Sequence, residues 1–409
     1  MPRRMAWLIA LLLLASGAVL AATPEEVNDL AGIRIFGTSE LWEEAPAAVL
    51  GRLRLKCRPE ELQGGQMFAS PLRGEVFGCP ASEIRIYAAG GLVNRVDIIL
   101  FNKGDNVTPG GGGKKKAAKL ANAFRKELRR HHAKTEKLLR DRLGRPRRAY
   151  FGSGTMSKQL PAWDCGAHVL MMDYSEGEYL LFHIVPGSAA AEHRSRVSGE
   201  DRAAPRDSYA ERVRRSDNGD VFISGVPMVN QGQKGYCVPA TVERVMRYFG
   251  VPGVDMHKLA ERFDTGGGGG TTIEGTVRGT RKLLMDYGLR MRDANRLRRQ
   301  TIIRSVDAGL PVLWFHFSTS EFKERLDKSL AERSRVSIAD WKDQLAGLKR
   351  IRRLASGAHV ALLIGYNRET DEFAVSNSWG ERYRIAWVRF ADMEHADAKM
   401  SLYIVTPRK

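Results

Sequence analysis

Cys237, His359 and Asn377 occur in that order along the chain, and Gln231 stands six residues ahead of the cysteine. They lie in three separated segments: Asn230-Gln-Gly-Gln-Lys-Gly-Tyr-Cys237-Val-Pro-Ala, Gly357-Ala-His359-Val-Ala-Leu-Leu-Ile-Gly-Tyr366 and Val375-Ser-Asn377-Ser-Trp-Gly380. These residue types fit nucleophilic thiol chemistry. The thiolate is the nucleophile, and an ordinary cysteine near neutral pH is mostly thiol. A helix N-terminus favours the anion through unpaired N–H groups and the dipole. Cys237 opens an expected helix with Pro239 in its first turn. An imidazole such as that of His359 takes the proton, and as imidazolium it favours the thiolate and later protonates a leaving amine. A neutral carboxamide, Asn377, holds the ring in place. The oxyanion of a tetrahedral intermediate would be met by the Gln231 side chain and the Cys237 backbone N–H. Gln233 is a rival donor at that last position.

Other candidate chemistry is weaker. Cys165 and His168 are three apart, which on one strand would send them to opposite faces. No second ligand pair has zinc-like spacing, so no metal is expected. Gly110 to Gly113 followed by Lys114 lacks the Ser or Thr and the leading strand of a phosphate loop. No cofactor is expected. Cys57 and Cys79 lie close enough in sequence for a disulfide if the chain is exported.

The chain has 409 residues and net charge +18, and 43% of its residues are hydrophobic, enough for two globular domains. Much of the charge is local. Residues 114–148 hold 15 Lys and Arg against 3 acids. That stretch lacks interleaved aromatics, so specific nucleic-acid binding is not expected. Such a run is usually a solvated helix or mobile loop, and its functional reading is contact with an anionic surface. Arg3 and Arg4, an apolar run from Ala6 to Leu20 and small residues at Val19, Ala21 and Ala22 read as a signal peptide over residues 1–22, cleaved before Ala22 or Thr23. An uncleaved anchor is the alternative, but the run is short for a span. No later segment reads as transmembrane. The expected location is secreted or periplasmic.

The elements that must position the four residues can be read in outline. Residues 23–186 read as an α+β domain. It has hairpins over 83–101 and 167–185, and a helix from about 114 to 143 whose stripe is Leu120, Phe124, Leu128, Leu138 and Leu139. Residues 187–218 read as an exposed linker. The second domain, 219–409, should place Cys237 on a helix running to Phe249 and closed by Gly250. A second helix should run from about Ile273 to Tyr287. Strands are expected at 311–317, 358–366, 372–377 and 385–390. A charged helical insertion over 319–355 stands ahead of His359 and would overhang the site.

The three segments resemble the papain-like cysteine peptidases. Gln231-Gly precedes Cys237 by that family's offset, and Asn377-Ser-Trp379-Gly is like the family's signature around its orienting Asn. The resemblance covers about 222–400. It implies an α+β, two-lobed C-terminal domain with a helical lobe and an antiparallel β lobe, preceded by a separate α+β domain. It implies peptide-bond hydrolysis through a thiol acyl-enzyme, with Cys237 attacking, His359 as acid–base, Asn377 orienting and Gln231 at the oxyanion. It also implies that Trp379 shields the His–Asn bond. The cathepsin Cys-Gly-Ser-Cys-Trp pattern is replaced by Lys234-Gly-Tyr-Cys237-Val, which is similar to bacterial members, including double-glycine leader peptidases. An inhibitory propeptide of the cathepsin kind is not recognisable. Amide hydrolysis or acyl transfer on cell-wall peptides, or a non-catalytic papain-like binding module, are the alternative functions.

Overall fold

In residues 60–186 apolar and polar side chains alternate along strands, and antiparallel pairing turns that alternation into two distinct faces. The computed structural model describes residues 22–408 except 63, 108–112, 191–196, 200–201, 233–234, 252, 266–269 and 352–356. The expected signal peptide up to Ala21, most of the two glycine runs, and Gln233 and Lys234 lie outside the described residues.

The N-terminal region opens with α1 (Pro24–Ala31), capped by Thr23 and Glu26, and α2 (Pro46–Arg52). Its strands are β1 (Glu60–Leu62), β2 (Gly65–Pro71), a small β3–β4 hairpin (Glu75–Val76, Cys79–Pro80), β5 (Glu83–Ala89) and β6 (Leu92–Asn102). A short α3 (Lys103–Asn106) and the long α4 (Gly113–Leu143) follow. Then come β7 (Arg147–Phe151), β8 (Lys158–Cys165), β9 (His168–Ser175) and β10 (Tyr179–Pro186). Eight of these strands form one antiparallel sheet ordered β1-β2-β5-β6-β10-β9-β8-β7.

One rung of that sheet runs Ile84, Ile98, Phe182, Met172, and its side chains join α4's Phe124, Leu128 and Leu139 in an apolar core. The next rung runs Ala69, Arg85, Asp97, His183, and this polar face is turned to the C-terminal half. The basic helix occurs as expected, but its stripe differs. Leu120 is 41% exposed, and the buried line passes through His131 and Thr135 to Leu139 and Leu143.

The C-terminal region contains β11 (Val213–Arg215), β12 (Asp220–Ile223), α5 (Cys237–Tyr248), α6 (Met256–Arg262), α7 (Ile273–Asp286) and β13 (Leu289–Asp293). It continues with α8 (Arg299–Asp307), β14 (Val312–Phe317), α9 (Ser320–Glu332), α10 (Ile338–Ala346), β15 (Ala358–Asn367), β16 (Glu372–Ser376), β17 (Ala386–Arg389), α11 (Phe390–Ala396) and β18 (Asp397–Pro407). Its sheet is ordered β11-β12-β15-β14-β18-β13, with β16 between β15 and β17. The architecture is α+β with antiparallel strands.

Gly365 lies where β15 is irregular and flanked by both β12 and β16. A Cβ there would sit 2.7 Å from the Val221 carbonyl oxygen and 2.9 Å from the Ala374 Cβ, so only glycine lets the three strands meet.

Three expectations are corrected. The stretch 187–218 is not uniformly exposed: Tyr209 is fully buried in the C-terminal core and β11 pairs with β12, because a lone aromatic in a polar run can still find an apolar pocket. Cys57 and Cys79 are both free thiols, packed as small apolar side chains in the N-terminal core. Cys165 and His168 are not on one strand. They face each other across the β8–β9 turn, and His168 is saturated by donating to the Cys165 carbonyl (3.2 Å) and accepting from the Leu41 N–H (3.1 Å). Among the described residues no helix is long and apolar enough to cross a membrane.

Candidate active site

Helix α5 begins at Cys237 itself, with Tyr236 as its N-cap residue, and every residue after Cys237 in the helix is buried. The sulfur therefore sits at the positive end of a helix embedded in the core. Cys237 is half-buried. Burial raises its thiol pKa, while the amides of Val360, Val238 and Cys237 itself act in the opposite direction on the sulfur. Val360 follows His359 on β15, so this contact brings the sulfur to the strand that carries the histidine.

His359 is 7% exposed, and its Nε2 lies 2.7 Å from Asn377 Oδ1. The amide oxygen is the acceptor, so Nε2 carries the hydrogen and Nδ1 is the nitrogen available for proton exchange. The Trp379 ring covers this pair, with centroids 4.7 Å from His359. Burial lowers the imidazole to about 4, and the Asn377 hydrogen bond offsets only part of that. A neutral thiol–imidazole pair is thus the resting state that burial favours, rather than the thiolate expected from the helix terminus alone.

Asn377 lies just past the end of β16, its N–H donating to the Tyr383 carbonyl (3.0 Å). Two ties fix that strand end to the helix and to the Gln231 loop. The guanidinium of Arg244 on α5 is wholly buried and donates to the carbonyls of Ser376 (3.0 Å) and Pro227 (2.7 Å). Gln231 N–H donates to the Ser378 carbonyl (2.8 Å), and Ser378 Oγ–H donates to Gln231 Oε1 (2.6 Å). The oxygen of the Gln231 amide thereby accepts from Ser378, and its NH2 group is the donor end of the side chain. Gly380, at φ 97°, turns the chain after Trp379.

The structure thus brings all four expected residues to one place: Cys237 against the Val360 amide, His359 against Asn377, and Gln231 against Ser378. The insertion carrying α9 and α10 packs beside the turn after Trp379, where Tyr383 donates to Asp327 (2.7 Å).

His316 was not anticipated. It lies on β14 directly opposite His359, with ring centroids 5.4 Å apart, stacked 4.2 Å from Trp314. Neither ring nitrogen makes a well-formed hydrogen bond among the described residues, and burial lowers the ring to about 3. Its sequence signal is slight: one histidine in the apolar run of β14.

Residues 223–398 match the family model described as Peptidase_C39 like family. Similar solved structures include a putative C39-like peptidase from Bacillus anthracis, 16% identical over 46% of this chain and 98% of that one, with TM-score 0.31. Another is xylellain, a cysteine protease from Xylella fastidiosa, 11% identical over 52% of this chain and 94% of that one, with TM-score 0.27. No curated protein matches. The family match takes in Cys237, His359 and Asn377 and spans less than half of the chain.

Proposed function

We propose that this chain is an exported cysteine peptidase. The observation that carries the proposal is the His359–Asn377 hydrogen bond beside a cysteine that opens a buried helix. The Cys237 thiol gives its proton to His359 Nδ1 as the sulfur attacks the substrate carbonyl carbon. The resulting oxyanion is met by the Cys237 N–H and the Gln231 amide NH2. Collapse breaks the C–N bond, and the imidazolium protonates the leaving amine. Water, deprotonated by His359, then attacks the thioester, releasing the acid and restoring the thiol. Asn377 keeps Nδ1 turned to the sulfur, and Trp379 keeps water from the His–Asn bond.

In this reading residues 1–22 direct export, 23–186 form a first domain, and 219–409 form the peptidase domain against which Tyr209 and β11 pack. The exposed side of α4 meets an anionic surface, which predicts binding to anionic vesicles at low salt and release as salt rises.

A peptide-library digest tests the activity. The wild type is expected to cut and Cys237→Ala is not. Cleavage that survives in Cys237→Ala, or its absence in both, overturns the reading.

A further inference from the structure

A groove of about 750 Å³ lies between the N-terminal sheet and the peptidase domain, within the size range of ligand sites, roughly 300–1,000 Å³. On one side its wall is the face of β2 that carries Met67, Ala69 and Pro71, residues spaced by two. On the other it is Met228, Val229 and Met256. Asn230 and Gly232, the neighbours of Gln231, line it, as does Gly380, which follows Trp379. The groove therefore reaches the loop that carries Gln231 and the turn that follows Trp379.

The floor is apolar and the rim is charged. Four acids line it: Glu60 is matched by Arg247 (3.1 Å), Glu83 by Arg85 and Glu381 by Arg384 (2.5 Å), while Asp105 accepts from Asn102 (2.6 Å). Arg58 lines the groove and feels Glu381, yet among the described residues it has no carboxylate within ion-pair distance.

The N-terminal wall is fixed in place by buried contacts. Lys103 donates to the Thr265 carbonyl (2.8 Å), Arg85 pairs with Asp255, and Tyr236, the residue before Cys237, donates to Glu178 (3.3 Å).

We propose that this groove is part of the substrate site, and that the N-terminal sheet supplies a specificity wall for an extended polypeptide. The peptide seats an apolar side chain between Ala69 and Met256 and turns an acidic side chain toward Arg58. The proposal rests on the peptidase reading above. It makes the N-terminal region a working part of the enzyme, and it makes long peptides better substrates than peptides trimmed close to the cut.

The test uses the full chain, Ala69→Trp to fill the groove, and Arg58→Glu, an exposed rim change that leaves the core untouched. Matched long and truncated peptides, with acidic or lysine side chains at the groove position, are compared by kcat/KM. Labelling of Cys237 by iodoacetamide reports that each variant is folded at the site. In Ala69→Trp the long-to-truncated ratio is expected to fall about tenfold. In Arg58→Glu the preference for the acidic peptide is expected to reverse. Ratios and preferences equal to wild type in both variants overturn the groove while leaving the peptidase intact. No hydrolysis and no Cys237 labelling in the wild type overturns the peptidase reading, and the groove falls with it.

Discussion

His183 and His359 are both buried strand histidines, and their surroundings are opposite. His183 donates from Nδ1 to Asp97 (2.7 Å) and accepts at Nε2 from Lys258 (3.1 Å), stacked on Phe151 with centroids 3.8 Å apart. Lys258 also meets Asp173, which meets Lys158 (2.6 Å). The Asp97 carboxyl is held at about 2, because Arg95 and His183 outweigh a burial that would raise it. His359 is hydrogen-bonded to a neutral amide, and neither ring nitrogen of His316 opposite it makes a well-formed hydrogen bond among the described residues. The first cluster joins the two halves of the molecule, and there every charge has its complement. Around Cys237 the buried histidines lack charged partners among those hydrogen bonds, which is the setting the proposed proton exchange requires.

Breaking each side should have different consequences. Removing the reacting groups has the largest effect: Cys237→Ala or His359→Ala should lower kcat/KM about 10³-fold or more without loss of folding stability. A variant retaining more than a tenth of the activity would remove that residue from the chemistry. On the docking side, Asp173→Ala leaves Lys258 facing His183 without its carboxylate. A loss of ~3–5 kcal/mol in urea unfolding is expected. A change below ~1 kcal/mol would show that the cluster does not hold the halves together.

The smaller effects sharpen the contrast. Asn377→Ala frees the His359 ring and should cost roughly tenfold to a hundredfold in kcat, with KM little changed. An unchanged kcat would show that the ring is oriented by Trp379 alone. His316 binds its proton only near pH 3 in the fold and near pH 6.5 when unfolded, so the unfolded chain takes up a proton first as pH falls. Its contribution therefore lowers stability as pH drops from about 6.5 toward about 3. His316→Leu should flatten the pH dependence of the urea midpoint across that window, and an identical slope in the variant would contradict the assignment.

The candidate site was largely legible in the sequence because its parts are local signals. Gln231 and Cys237 sit just ahead of a helix start, and His359 and Asn377 sit near the ends of apolar runs. The hairpins read at 83–101 and 167–185 were also visible, since alternation and Gly90-Gly91 mark them. The joining of the halves was hidden. Alternation separates Arg85, Asp97 and His183 from Ile84, Ile98 and Phe182, but it does not say whether the polar face meets water or another part of the chain. It meets α5 and α6. Strand β18 was missed as well. It lies between β14 and β13, and its place depends on pairing across 80 residues or more rather than on its own short apolar run. His316 was invisible for the same reason, since only the β14–β15 register sets it opposite His359.

The account turns on Cys237 being a thiol made reactive by a buried neutral imidazole. Burial pushes the thiols of Cys79 and Cys165 up to about 12 and raises that of Cys57, so these should stay inert. The most direct measurement is the rate of iodoacetamide labelling at each cysteine, mapped by mass spectrometry across pH in the wild type and in His359→Ala. The predicted result is selective labelling of Cys237 that falls as pH drops through about 4, where His359 takes up its proton, and that is largely lost in His359→Ala. Equal, slow labelling of all accessible cysteines, or Cys237 labelling indifferent to His359, would contradict it.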